Sequence, residues 1–132
     1  DALFKAIKSG IIDTIGSDHA PHTLEEKARP YGSCPSGVPG IETTLPLLIE
    51  AYHQGLLSLK NIVDLTSRRA KEIFQLPDYA DDYVLVDLSL ARRVEEKQLK
   101  TKCQWSPFTG RLLRGWPVII VLKNHVYDLA RL

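Results

Sequence analysis

Apolar residues recur along this chain at two periods, first helical and later alternating, and the change of period divides it. Residues 1–8 place Ala2, Leu3, Ala6 and Ile7 on one helical face, with Asp1 as N-cap or first-turn acid and Gly10 as the stop. The apolar run 11–16, closed by Gly16, predicts a short buried strand. Residues 23–40 are rich in Pro, Gly and Ser and carry the charged patch Glu25-Glu26-Lys27-Ala28-Arg29. A stretch of that length without periodicity predicts a functional loop rather than a plain connection. Helical spacing resumes at Glu42 or Thr43 and runs to about Gln54, stopped by Gly55; Pro46 is tolerable there only within the first turn. Ser58 is read as the cap of a helix over 59–65 and Ser67 as the cap of another over 68–75, ended by Pro77.

From residue 78 the texture becomes β-like. Strands are predicted over 83–88, 92–99 and 117–122, the last paired with 125–127 across Lys123-Asn124 as a hairpin, and 106–110 reads as a turn. The pattern is α/β, with a boundary expected near residues 76–82.

Composition narrows the class. The chain has 132 residues, 44% hydrophobic and 25% charged, with a net charge of +1. That balance is typical of a globular protein and gives no electrostatic case for nucleic acid or a membrane surface as partner. The apolar runs, such as 118–122, are too short to span a bilayer. Cys34 and Cys103 form no disulfide framework, so free thiols in a reducing, cytoplasmic compartment are expected. The chain has no methionine and opens inside a helical pattern, which suggests a piece of a longer protein.

The chemistry concentrates in Ser17-Asp18-His19-Ala20-Pro21-His22, directly after the predicted strand. A carboxylate and two imidazoles arrive together at the carboxyl end of a strand, where α/β proteins place ligands, and Pro21 stiffens the turn between the histidines. Asp can ligate a metal or move a proton; His can ligate, donate or pair with an anion. Asp-His pairs also occur in ordinary turns, and the spacing alone names no reaction. Gly32, Gly37 and Gly40 allow close approach of a ligand or simply build turns. His53, near a helix end, reads as a surface residue facing the helix dipole rather than a ligand.

These residues resemble a known family. Gly16-Ser17-Asp18-His19-Ala20-Pro21-His22-Thr23, then Glu25-Glu26-Lys27, then residues 36–48 beginning Ser36-Gly37-Val38-Pro39-Gly40, and finally Ser106-Pro107-Phe108-Thr109-Gly110, are similar to the C-terminal part of dihydroorotases. Those enzymes form part of the cyclic-amidohydrolase branch of the amidohydrolase superfamily. The resemblance implies the C-terminal fragment of a metal-dependent (β/α)8 TIM barrel, followed by the C-terminal strands of a small β-sandwich. Residues 1–76 would be the last βα portion with the Asp loop, and 77–132 the sandwich segment. It further implies zinc-dependent, reversible hydrolysis of dihydroorotate to N-carbamoyl-L-aspartate. Asp18 would be both metal ligand and catalytic proton carrier, with His22, Ser36 and Gly37 contacting the substrate and His19 supporting the loop.

A complete barrel takes about 250 residues. One or two Zn²⁺ ions are implied, most of whose ligands would precede Asp1, so the fragment alone is expected to be inactive and not to fold as a stable unit. Implied partners are the small-molecule substrate, the remainder of the barrel, and a second copy or aspartate transcarbamoylase. Open alternatives are a hydantoinase, dihydropyrimidinase or allantoinase, a non-catalytic dihydroorotase-like assembly partner of aspartate transcarbamoylase, or a free-standing binding module.

Overall fold

Alternating apolar positions after residue 82 assemble into the feature that organises the molecule, a three-stranded antiparallel sheet in the order β1-β2-β3. In this computed structural model, which describes residues 2–77, 79 and 81–130, the strands are β1 (Tyr83–Arg93), β2 (Leu112–Leu122) and β3 (His125–Asp128). The hairpin between β2 and β3 turns on Lys123 and Asn124 at φ +50° and +64°, the left-handed pair that a two-residue turn needs to match strand twist. The predicted hairpin is therefore present.

β1 is longer than its apolar run. It pairs with β2 as Tyr83↔Val121 to Leu85↔Ile119, slips by one residue to Val86↔Pro117 and Asp87↔Trp116, then breaks register again and resumes as Ala91↔Arg114 to Arg93↔Leu112. At the break the Asp87 carboxylate accepts from Ser89 N–H at 2.8 Å and Leu90 N–H at 3.1 Å. That local turn lets the strand continue past a polar interruption. The strand expected over 92–99 does not form. Residues 92–93 close β1, and Glu96–Gln98 make a 3-10 turn. The ladder ends because Val94 pairs with the far side of an excursion: its N–H donates to Arg111 O at 2.9 Å and its C=O accepts from Gly110 N–H at 2.8 Å. Residues 95–110 then loop out from the sheet.

The helical part of the chain meets this sheet through its longest helix, residues 41–53. α1 (Ala2–Lys8) has the expected extent, with Gly10 beyond it at φ +74°; the proposed cap Asp1 lies outside the described residues, as do Asp78 and Ala80 in the expected boundary. Phe4 and Ile7 of α1 pack on the core, while Leu3 is exposed. α2 (Leu24–Lys27) is a single turn inside the predicted loop. α3 (Ile41–His53) starts at Ile41 with Gly40 as N-cap, one or two residues earlier than expected. That places Pro46 in the second turn, not the first, where its missing N–H leaves the Glu42 carbonyl without its helical donor. The buried Pro46 ring is the compensation. Ile49 and Ala51 of α3 form the core with Leu57 and Ile62, bordered by Val86 and Leu88 of β1. His53 does more than face solvent: its Nε2 lies 2.8 Å from Leu88 O and ties the end of α3 to β1.

α4 (Leu59–Val63) has Ser58 as its cap, in a reciprocal capping box with Asn61. Ser67 is not a cap. Residues Asp64–Arg68 form a π-helical turn that passes without a break into α5 (Arg69–Phe74). A cap needs extended backbone, and helical angles run straight through Arg68 at φ −61°, ψ −49°.

Residues 11–16 are the main departure. They form no strand; Ile11 N–H and Ile12 N–H reach back to Ala6 O, and Ile15 N–H donates to Leu65 O at 3.0 Å. A strand requires a neighbouring strand to complete its ladder, and among the described residues none flanks this run. No helix among the described residues is long and apolar enough to cross a membrane.

Candidate functional site

The loop after residue 16 is held by the segment just before α3. Ala20 N–H donates to Val38 O at 3.0 Å, within a parallel bridge between His19 and Val38. Gly37 makes the approach possible: at φ +85° a Cβ there would lie 2.6 Å from the Ala20 Cβ. Gly40 is also tightly seated, though less so: a Cβ there would meet Ser17 O at 3.0 Å. Two sequence-distant stretches, 17–22 and 36–40, are thus clasped together with no room for side chains between them.

Asp18 stands out in that clasp. It is a non-glycine residue at φ +45°, a region that Asp tolerates better than most but that still costs energy. Its side chain is exposed, and among the described residues its carboxylate takes part in no hydrogen bond or ion pair. A strained backbone presenting an unengaged acid fits a ligand-binding role, since an ordinary turn aspartate caps its own backbone.

The histidines divide their labour. His19 is half-buried, and its Nδ1 accepts from Ile41 N–H at 3.4 Å in the first turn of α3. The ring therefore meets the first turn of α3 and joins the loop to it. His22 is half-buried with Nδ1 3.8 Å from Glu26 Oε2, an ion pair when the imidazole is protonated. Glu26 also closes a capping box with Thr23. The Thr23 backbone N–H and then its hydroxyl hold the Glu26 carboxyl below the usual range.

Ser36 and Gly37 lie on the facing strip. Ser36 is exposed and its hydroxyl makes no hydrogen bond among the described residues; Gly37 offers only backbone. Three residues matter here that the sequence did not single out. Lys27 donates to Pro35 O at 2.7 Å and Gly37 O at 3.1 Å, so its ammonium shapes the strip that carries Ser36 and Gly37. The Thr23-x-x-Glu26 spacing was a readable signal for α2, which positions Lys27. Glu42 of α3 accepts from Lys100 N–H at 3.0 Å, from Thr101 N–H at 2.7 Å and from the Thr101 hydroxyl. Trp105 donates its indole N–H to His22 O at 2.7 Å. Neither of these last two contacts has a sequence signal, because the partners are 58 to 83 residues apart.

Partial burial pushes the Glu42 carboxyl up, but the Lys100 and Thr101 donors outweigh it and hold it below its ordinary value of 4.5. A lowered folded pKa means this tether stabilises the fold above the unfolded value and is lost as pH falls through the folded one. Protection factors at the Lys100 and Thr101 amides should therefore hold from neutral pH down to the ordinary carboxylate range and fall only below it, as pH drops through the lowered folded value. Glu42→Gln should give fast exchange throughout, and equal protection in the variant would remove the carboxylate from this account.

A catalytic zinc takes at least three protein ligands. Among the described residues no three His, Cys, Asp or Glu side chains converge on such a site. Cys34 is engaged locally, its thiol donating to Lys27 O at 3.3 Å. The residues present fit a metal as one carboxylate ligand, Asp18, and not as a complete set.

No family model matches the chain. It is 41% identical to a dihydroorotase of Halobacterium salinarum, in an alignment covering 97% of this chain and 32% of that protein. Its fold superposes on the L-hydantoinase (dihydropyrimidinase) from Arthrobacter aurescens with a TM-score of 0.86 at 27% identity, over 96% of this chain and 31% of that one. An inactive dihydroorotase-like domain of a Chaetomium thermophilum CAD-like multifunctional protein superposes with a TM-score of 0.70 at 30% identity, over 95% of this chain and 34% of that one. The chain spans about a third of the length of each of these relatives. Along nearly its whole length, then, the chain is similar to dihydroorotases in sequence and to hydantoinases in fold, both of them cyclic amidohydrolases.

Proposed function

We propose that this chain is the C-terminal share of a dihydroorotase, contributing residues 1–76 to a metal-bearing (β/α)8 barrel and residues 77–132 to a small β-sandwich. The observation that carries the reading is Asp18, a free carboxylate on left-handed backbone, in a loop whose Ser17 and Ala20 sit close against Gly40 and Gly37. In this reading the rest of the barrel supplies the flanking strands that residues 11–16 lack, together with the other metal ligands.

The substrate is dihydroorotate, opened reversibly to N-carbamoyl-L-aspartate. Zinc bound at such a site would supply Lewis-acid polarisation of the ring amide and a water of lowered pKa. Asp18 gives one oxygen ligand, takes the proton from the attacking water on its carboxylate and returns it to the departing amide nitrogen. His22, set 3.8 Å from Glu26, binds the substrate carboxylate as a donor. The hydroxyl and backbone of Ser36 and the backbone N–H of Gly37 orient the ring. The protein would work in the cytoplasm.

Two neighbouring readings have observations of their own. Hydantoinase likeness in three dimensions favours another cyclic amide, such as hydantoin, dihydrouracil or allantoin. Likeness to an inactive dihydroorotase-like domain favours a non-catalytic partner within an assembly, for example with aspartate transcarbamoylase. A free, strained Asp18 supports the catalytic reading over the latter, since a purely architectural domain has no need of it.

The test is turnover by the zinc-loaded full-length protein. Dihydroorotate should be preferred to hydantoin, dihydrouracil and allantoin by about 100-fold or more in kcat/KM, the size expected when buried polar groups are matched to one substrate. Preference for another ring would move the assignment within the family. No turnover of any ring would leave the assembly reading. The 132-residue chain by itself should show none.

A further inference from the structure

The excursion between β1 and β2 reaches back to the Asp18 loop at two points. Its middle is pinned where Glu42 gathers Lys100 N–H, Thr101 N–H and the Thr101 hydroxyl, at the start of the helix that His19 meets. Its far end is pinned by Trp105, whose indole donates to the His22 carbonyl at 2.7 Å. Trp105 is only 9% exposed and is followed by buried Ser106, which accepts Phe108 N–H on its hydroxyl and Thr109 Oγ1–H on its carbonyl. The indole is therefore fixed by its own turn before it touches the loop. The carbonyl it engages belongs to the last residue of the Asp-His-Ala-Pro-His run, so the bond acts on the turn that aims His22.

We propose that Trp105 is a positioning residue for the active-site loop, and that the excursion over 95–110 is a brace through which the sheet sets the His22 side chain. This rests on the reading of His22 as a substrate contact. The bond removes one rotation from the turn after Pro21, because the peptide that carries the accepting carbonyl also follows the His22 Cα. Loss of the donor leaves that peptide free to tilt, and the imidazole with it. Asp18 lies in the stretch held through Ser17 and Ala20 against Gly40 and Gly37, and this bond at His22 does not reach it. The expected signature is therefore in substrate binding more than in the chemical step.

The experiment is steady-state kinetics of the full-length, zinc-loaded protein on dihydroorotate with three variants. Trp105→Phe keeps an aromatic ring and removes the donor; KM should rise about fivefold, the factor that corresponds to one hydrogen bond, with kcat within about twofold. Val94→Ala empties a buried position at the root of the same excursion and should lower the thermal midpoint without moving KM. His22→Asn should raise KM more than Trp105→Phe does. An unchanged KM in Trp105→Phe beside a raised KM in His22→Asn overturns the brace alone, whereas an unchanged KM in His22→Asn removes the reading beneath it. A KM shift in Val94→Ala equal to that in Trp105→Phe makes the effect one of general packing and also overturns the proposal. Should Trp105→Phe not fold, indole hydrogen exchange in the wild-type protein decides: slow exchange that slows further with carbamoyl aspartate bound supports the brace, and exchange as fast as free indole refutes it.

Discussion

Asp18→Asn in the full-length, zinc-loaded protein should lower kcat/KM on dihydroorotate by about 10³-fold or more, with the thermal midpoint nearly unchanged. General acid–base catalysis alone is worth about 10²–10⁴-fold, and this side chain is asked both to ligate and to carry the proton. Asn is a fair probe because it shares the tolerance of Asp for positive φ, so the backbone at φ +45° has no new reason to move. The wild-type carboxylate also has no hydrogen bond or ion pair among the described residues to lose, so little folding energy is at stake. The measurement pairs initial rates with a melting curve and bound-zinc content. Activity within tenfold of wild type would end the assignment of Asp18 as proton carrier. A parallel collapse of folding would instead show that its charge is structural.

The second large effect is on stability. Gly115→Ala should destabilise the fold by about 3 kcal/mol, the sum of roughly 1–2 for a non-glycine residue at positive φ and 1–3 for overpacking. Gly115 lies buried in β2 at φ +88°, between the two paired stretches of β1, and an added Cβ would fall 2.0 Å from the Ile49 Cγ2 and 2.5 Å from its Cβ. Rotating the isoleucine cannot relieve a clash with its own Cβ, so α3 would have to back away from the sheet. Because α3 begins at the site strip, with Gly40 as its cap and Glu42 holding the excursion, such a shift should also raise KM. Gly55→Ala is the matched control: φ is +70° and the space is open, so only the backbone cost of about 1 kcal/mol should appear. Denaturant midpoints of the two variants give the comparison. Equal losses would mean that the close seat of Ile49 on Gly115 contributes nothing.

These two residues differ in how visible they were. Asp18 could be picked out from residue type and spacing, because a carboxylate between an apolar run and two histidines is a chemical statement that needs no partner. Gly115, in a run that reads Arg114-Gly115-Trp116-Pro117, carries no local sign of its role, which exists only because Ile49 arrives from another element.

The same division holds through the chain. Local physics was legible in sequence: the end of α1 at Gly10, the Ser58 cap and the Lys123-Asn124 hairpin all depend on residues within a turn of one another. α2 lies inside the predicted loop, although the Thr23-x-x-Glu26 spacing carries its local signal. What depended on partners was not. Residues 11–16 have the apolarity of a strand but, among the described residues, no neighbour to complete a ladder. Pro46 sits in a second turn because its ring is buried. Ser67, a good cap in isolation, stays inside a helical run that continues through a π turn, and residues 92–99 divide because Val94 pairs with Arg111 and Gly110. The brace from Glu42 to Thr101 and from Trp105 to His22 is the extreme case. Hydrogen bonds across 59 to 83 residues are set by how the sheet and α3 pack, and no local preference of either partner encodes them. The sequence alone determined which groups can do chemistry; only the tertiary structure decided how they are held, because geometry at a site is fixed by long-range contacts that no short window of residues contains.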